Sequence, residues 1–161
     1  MTRQLLGMPV RDAVLAELKR RVAGRSRPPG LAVILVGDDP ASRVYVRNKE
    51  KGCAEVGFHQ LTHRLPAEAT ESSVLGLIDA LNANPRIDGI LVQMPVPAHL
   101  DGDRILAAVD PDKDVDGFHP LNLGLLVAGK PRTVACTPKG ILRLLAHYEI
   151  PVAGRRVAIV G

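Results

Sequence analysis

The stretch Leu31-Ala32-Val33-Ile34-Leu35-Val36-Gly37-Asp38-Asp39-Pro40 decides the fold. Its unbroken aliphatic run shows no polar alternation, which fits a strand covered on both faces, as in parallel sheets. Gly37 ends the run. Asp39 can cap a helix N-terminus, and Pro40 suits the first helical position, where its missing N–H is no loss. The helix that begins there is expected to reach Val56, with Gly57 after it.

Upstream, residues 9–23 carry Val10, Val14, Leu15, Leu18 and Val22 at helical spacing, with Gly24 as the stop. A polar, Pro-rich connection covers residues 25–30. Downstream, residues 58–65 read as a second strand, and Thr70 or Glu71 opens a helix with Val74, Leu75, Ile78 and Leu81 on one face. Residues 87–93 read as a third strand, stopped by Pro95 and Pro97. A short helix is expected over 103–109, an Asp-rich loop over 110–117, and helices over 121–128 and 138–148. Thr137 is read as the cap of the last helix, with Pro138 behind it. Residues 156–161 read as one more aliphatic strand. Strands alternating with helices indicate an α/β fold, a mainly parallel sheet flanked by helices. In such sheets, sites gather beyond the carboxyl ends of the strands. That rule selects the turn after Val36, the stretch Gln93-Met94-Pro95 and the turn after Gly161.

Composition narrows the function. The chain has 161 residues, an apolar fraction of 46% and a net charge of +4. Its aromatics are Phe58, Phe118, Tyr45 and Tyr148, so the core must be aliphatic and base stacking on surface rings is poorly supported. No nucleic-acid partner is expected. The excess of basic residues fits either an ordinary solvated surface or an attraction for anionic substrates. Cys53 and Cys136 do not make a disulfide framework, and the expectation is a reducing, cytoplasmic compartment. No apolar run is long enough to span a membrane.

Tyr45 and Lys49 stand four residues apart on the expected second helix, so phenol and amine share a face. They are either a proton-transfer pair near a strand end or a solvated lysine beside a packed ring. Tyr-x-x-x-Lys also occurs in short-chain dehydrogenases, but those carry a Gly-rich turn ahead of the pair, and here Gly37 stands alone. Gln93 closes an apolar strand, where its amide either marks the solvent boundary or holds a substrate or catalytic group. Asp112-Lys113-Asp114-Val115-Asp116-Gly117 imitates the start of a calcium loop, yet the twelfth position holds Leu123 instead of a bidentate Glu. What remains is a turn tied by Asp side chains or a carboxylate aimed at a ligand, with Asp116 the best-placed acid. His59 and His63 fall in a strand without a third ligand, so no metal site is expected. Cys53 is read as a small buried thiol. Cys136 precedes a helix N-terminus that either receives an anion or is only a helix start.

Read in order, Pro29-Gly30-Leu31-Ala32-Val33-Ile34-Leu35-Val36-Gly37, Pro40-Ala41-Ser42 with Tyr45 and Lys49, Asp88-Gly89-Ile90-Leu91-Val92-Gln93-Met94-Pro95-Val96-Pro97, Asp110-Pro111-Asp112-Lys113-Asp114-Val115-Asp116-Gly117-Phe118-His119-Pro120 and Cys136-Thr137-Pro138-Lys139-Gly140 resemble the methylenetetrahydrofolate dehydrogenase/cyclohydrolase family. The resemblance covers nearly the whole chain. It implies oxidation of 5,10-methylenetetrahydrofolate with a nicotinamide cofactor, usually NADP, then hydrolysis to 10-formyltetrahydrofolate. It implies Lys49 as the proton-transfer residue, Gln93 as its orienting partner, Tyr45 against the folate, and Asp116 as acceptor from the pterin amine and ring N–H. Val92 and Met94 would supply wall and backbone contacts.

The same resemblance divides the chain. Residues 1–150 correspond to the catalytic folate-binding domain, and 151–161 to the first strand of a Rossmann-type domain, with Gly161 the first glycine of its cofactor turn. The expectation is therefore a folate-site domain with negligible NADP binding of its own. The family is usually homodimeric, and both dimer and monomer stay open for this chain. Two functional classes also stay open: part of the bifunctional folate enzyme, or a non-catalytic folate-binding fragment. A generic α/β domain without a folate site is the third reading.

Overall fold

A computed structural model describes residues 3–160. Helix α1 (Gly7–Ala23) leads into strand β1 (Gly30–Val36) and helix α2 (Pro40–Val56). Strand β2 (His59–Leu65), helix α3 (Glu71–Ala83) and strand β3 (Gly89–Val92) follow. Helices α4 (Gly102–Ala108), α5 (Pro120–Val127) and α6 (Cys136–His147) complete the described elements. The three strands form a parallel sheet in the order β2-β1-β3. Ile34 stands opposite His63 on one side and Val92 on the other. Beyond β3, Ile90 forms an isolated parallel bridge to Asp114, with Ile90 N–H donating to the Lys113 carbonyl at 2.7 Å. The Asp-rich loop is thereby fastened to the sheet.

Burial explains why the opening stretch dominates. Strand β1 is central, so its alternate residues serve two cores. Ala32, Ile34 and Val36 pack with Val74 and Ile78 of α3, Ile105 of α4, and Ile90 and Val92 of β3. Val33 and Leu35 face the other way, against Val46 of α2 and Leu91 of β3. Ile34, Ile78, Ile90 and Ile105 are at most 1% exposed. Each such side chain contributes about 1.5–3 kcal/mol relative to an exposed one.

The turn after β1 takes the expected form. Gly37 has φ 84°, a left-handed value that other residues resist. The Asp39 carboxylate accepts from Ser42 N–H at 2.7 Å, which caps α2 and holds the Asp39 carboxyl below its ordinary range. At the other end of the sheet, Asp88 joins the starts of β1 and β3. It accepts from Gly30 N–H at 2.7 Å and pairs with both terminal nitrogens of Arg27 at 2.7 Å. The guanidinium and the amide hold its carboxyl at about 2.

Several expectations shift at their edges. The third strand is shorter, Gly89–Val92, and α1 starts two residues earlier than expected, at Gly7. Helix α6 starts at Cys136 with Ala135 at the N-cap and no side-chain cap, so Thr137 lies inside the first turn. Pro138 is tolerated there because first-turn amides have no intrahelical partner. The strand expected over 156–161 does not form among the described residues. Val157, Ile159 and Val160 are 67%, 91% and 96% exposed, and no neighbouring strand supplies a ladder for them. Gly161 lies outside the described residues. No helix among the described residues is long and apolar enough to cross a membrane.

Candidate active site

Helix α2 presents Tyr45, Lys49, Gly52 and Val56 at intervals of three or four, so all four share a face. That face borders a cleft of about 740 Å³, closed elsewhere by Leu91 of β3 and by Asp116 of the Asp-rich loop. The cleft is mostly apolar with a few convergent polar groups, the usual make-up of a small-molecule site. Tyr45 is 62% exposed at its edge, whereas Lys49 is half-buried.

Lys49 Nζ donates to Gln93 Oε1 at 3.2 Å. Gln93 Nε2 in turn donates to the Met94 carbonyl at 2.8 Å. The backbone therefore fixes which end of the Gln93 amide meets the lysine. The orientation matters because a lysine ammonium can only donate, so it needs the oxygen end. Met94 is followed by a cis bond to Pro95.

The acids of the Asp-rich loop differ in what they hold. Asp110 accepts from Asp112 N–H at 2.8 Å, and Arg132 pairs with Asp112. Lys113 Nζ reaches the carbonyls of Leu81, Asn82 and Asn84 at 3.1, 2.6 and 2.9 Å, neutralising the carbonyl end of α3. Asp114 is buried and accepts from Gly117 N–H, His119 N–H and Asn122 Nδ2 at 2.9, 2.9 and 2.8 Å. His119 caps α5: its Nδ1 accepts from Leu121 N–H at 3.0 Å, which leaves Nε2 to donate to the Ala107 carbonyl at 3.2 Å. Asp116 alone among these acids has neither a side-chain hydrogen bond nor an ion pair among the described residues. Burial pushes its carboxyl up, the Lys49 charge pulls it down, and the Asp114 charge pushes it up again. A partly desolvated carboxylate without a partner, beside a cleft, is poised for a ligand donor.

The structure thus brings Tyr45, Lys49 and Asp116 to one cleft and ties Gln93 to Lys49. It does not bring the Val92 side chain there: Val92 is 3% exposed in the core on the α3 side, so it offers the cleft no wall. Met94 packs partly against that same core. His59 and His63 gather no further ligand, and no metal-holding cluster exists among the described residues. Cys53 and Cys136 are both free, the first buried with its thiol pushed up by desolvation, the second exposed. Both border the cleft.

The sequence reading missed Leu15 and Leu18 of α1, which border the cleft rather than serve only as core. Their apolar stripe carried no signal to separate the two roles. It also missed Asn122, fully buried inside α5, where a polar residue among leucines was the available clue.

The described residues do not fit a nicotinamide dinucleotide. The turn after β1 places Asp38 and Asp39 ahead of Pro40, so two carboxylates and a residue without N–H stand where a pyrophosphate would need donors.

Comparison with known proteins gives the family. The model of the tetrahydrofolate dehydrogenase/cyclohydrolase catalytic domain matches residues 5–116. A bifunctional protein FolD from Chlamydia abortus is 51% identical over 158 residues, which is 98% of this chain and 55% of that protein. The FolD methylenetetrahydrofolate dehydrogenase/cyclohydrolase of Campylobacter jejuni superposes with a TM-score of 0.87 at 42% identity, covering 91% of this chain and 53% of its own. The Trypanosoma brucei enzyme, solved with NADP cofactor and inhibitor, gives 0.87 at 33% identity, covering 92% and 52%. The chain spans about half the length of these relatives. With the domain match extending over well more than half of its residues, the chain belongs to the tetrahydrofolate dehydrogenase/cyclohydrolase family.

Proposed function

We propose that the cleft between α2, β3 and the Asp-rich loop binds a one-carbon tetrahydrofolate, and that Lys49 moves the proton when the methenyl form is hydrolysed. The observation that carries this reading is the Lys49–Gln93 hydrogen bond beside an unpartnered Asp116. Asp116 accepts from the pterin amine and ring N–H, a bond that its charge strengthens. Tyr45 lays its ring against the substrate from the cleft edge.

In the hydrolysis, a water oxygen attacks the methenyl carbon and its proton passes to the neutral Lys49 amine. The cationic substrate disfavours an ammonium at that position before attack. The resulting carbinolamine breaks its bond to N5: the Lys49 ammonium gives its proton to the departing nitrogen, and as the hydroxyl becomes the formyl C=O its proton passes to the freed amine and on to solvent. The formyl group stays on N10. Gln93 Oε1 holds Nζ in line through both transfers, a positioning effect of the kind that governs proton transfer rates.

By the same reading, the protein takes part in one-carbon folate metabolism, in which 5,10-methylenetetrahydrofolate is oxidised with NADP before the hydrolysis. The residues described here serve the folate side of that sequence, and the division at about residue 150 between a catalytic and a cofactor domain is part of the proposal. Folate binding without turnover is the second reading, favoured by the poor fit of the described residues to a dinucleotide. Hydrolysis of 5,10-methenyltetrahydrofolate by the chain separates the two, because that step needs no nicotinamide. Acceleration above buffer supports the enzyme reading. Folate binding with no acceleration supports the second.

A further inference from the structure

We infer that Asn122 and Asp114 form a positioning pair that aims Asp116 into the cleft. The inference rests on the folate reading of that cleft. Asn122 is 0% exposed inside α5. Its Nδ2 bridges two points of the Asp-rich loop, donating to the Pro111 carbonyl at 3.0 Å and to Asp114 Oδ2 at 2.8 Å. Asp114 passes the constraint on. Its Oδ1 accepts from Gly117 N–H and its Oδ2 from His119 N–H, both at 2.9 Å. Asp116 therefore lies between two fixed points, Asp114 before it and Gly117 after it.

Two further contacts leave the segment no slack. Ile90 N–H holds the Lys113 carbonyl at 2.7 Å on the sheet side. Gly117 takes φ 72°, and a Cβ there would meet Ala135 N at 3.1 Å. The loop is clamped along its length, yet the Asp116 carboxylate has no hydrogen-bond or ion-pair partner among the described residues. A buried amide with two donor bonds and one unpartnered oxygen is a costly device for a turn alone. Its effect is to fix one carboxylate beside Lys49 without using that carboxylate's own acceptors.

The test is a double-mutant cycle read by calorimetry, with 5-formyltetrahydrofolate as the probe and the 161-residue chain as the protein. The variants are Asn122→Ala, Asp116→Ala and the two combined, each checked by thermal unfolding. Positioning predicts that each single change weakens binding by about tenfold or more, and that the double variant binds within about twofold of Asp116→Ala. A merely structural Asn122 would reduce the folded population whatever stands at 116, so its loss would multiply with that of Asp116→Ala and overturn the inference. Wild-type affinity in a folded Asn122→Ala would also overturn it. Unchanged affinity in Asp116→Ala would sink the folate reading itself, and the inference with it. Should Asn122→Ala not fold, Asn122→Ser, which keeps a small donor, takes its place in the same cycle.

Discussion

Lys49 Nζ and Gln93 Oε1 meet at 3.2 Å although 44 residues of chain separate them. One sits on a half-buried helix face, the other just past the end of β3, and the Met94 carbonyl fixes the amide between them. This contact, rather than the helical spacing alone, is what the proposed proton-transfer role of Lys49 rests on. Gln93→Ala is expected to lower the rate constant for methenyltetrahydrofolate hydrolysis by about 10- to 100-fold, less than the loss of a proton-transfer group itself, because Gln93 acts through Lys49. Its effect on KM is expected to stay within a few-fold. Steady-state kinetics on the purified variant checks the split, and a change confined to KM would contradict the orienting role.

Asp116 should cost stability. Burial raises its carboxyl above the ordinary 3.8, so the folded state holds this proton more tightly than the unfolded chain. Stability then falls as pH rises through the interval from 3.8 up to the raised value. Asp116→Asn is expected to unfold at a higher temperature than the wild type at pH 7, while binding folate more weakly. Its thermal advantage should shrink as pH is lowered toward 3.8. Equal melting temperatures at pH 7 would contradict the desolvation argument.

The Asp88–Arg27 pair behaves in the opposite sense. Its carboxyl is held at about 2 against an ordinary 3.8, so its stabilisation is present above 3.8 and disappears as pH falls through about 2. Both side chains are more than 40% exposed, so solvent screening keeps the gain small. Urea unfolding of Asp88→Asn should show that loss at pH 7, and part of it should vanish in high salt.

Gly30 is expected to tolerate no side chain. A Cβ there would run into the Arg86 carbonyl, which is backbone and cannot swing aside. Gly30→Ala should destabilise the fold by about 1–3 kcal/mol through overpacking, measured by denaturant titration. Gly76, which has nothing within 4 Å of a Cβ and lies inside α3, should instead gain slightly from Ala through helix propensity.

How far the sequence carried these conclusions follows from which residues speak locally. The β1 run and the Asp39-Pro40 cap were legible because burial on both faces and capping leave signatures within ten residues. The shared face of Tyr45 and Lys49 was legible from helical spacing. The Gln93 contact was not, since its partner depends on how β3 lies beside β1, although the motifs quoted for the family anticipated it. The Asp-rich loop was read as either an Asp-tied turn or a ligand-facing acid, and it is built as both: Asp114 ties, Asp116 faces the cleft. For Val92, only the sheet register decides which face the side chain takes, and it lies in the core on the α3 side. The strand over 156–161 misled for a related reason: aliphatic residues need a ladder partner, and none stands beside them here.

The proton-transfer role of Lys49 is tested most directly by hydrolysis of 5,10-methenyltetrahydrofolate with the wild-type chain and with Lys49→Ala, at saturating substrate and equal folded concentration. The account predicts hydrolysis above the buffer rate for the wild type and a loss of at least about 100-fold in that excess for Lys49→Ala, with folate binding largely retained. A Lys49→Ala protein that hydrolyses the substrate as fast as the wild type would contradict it.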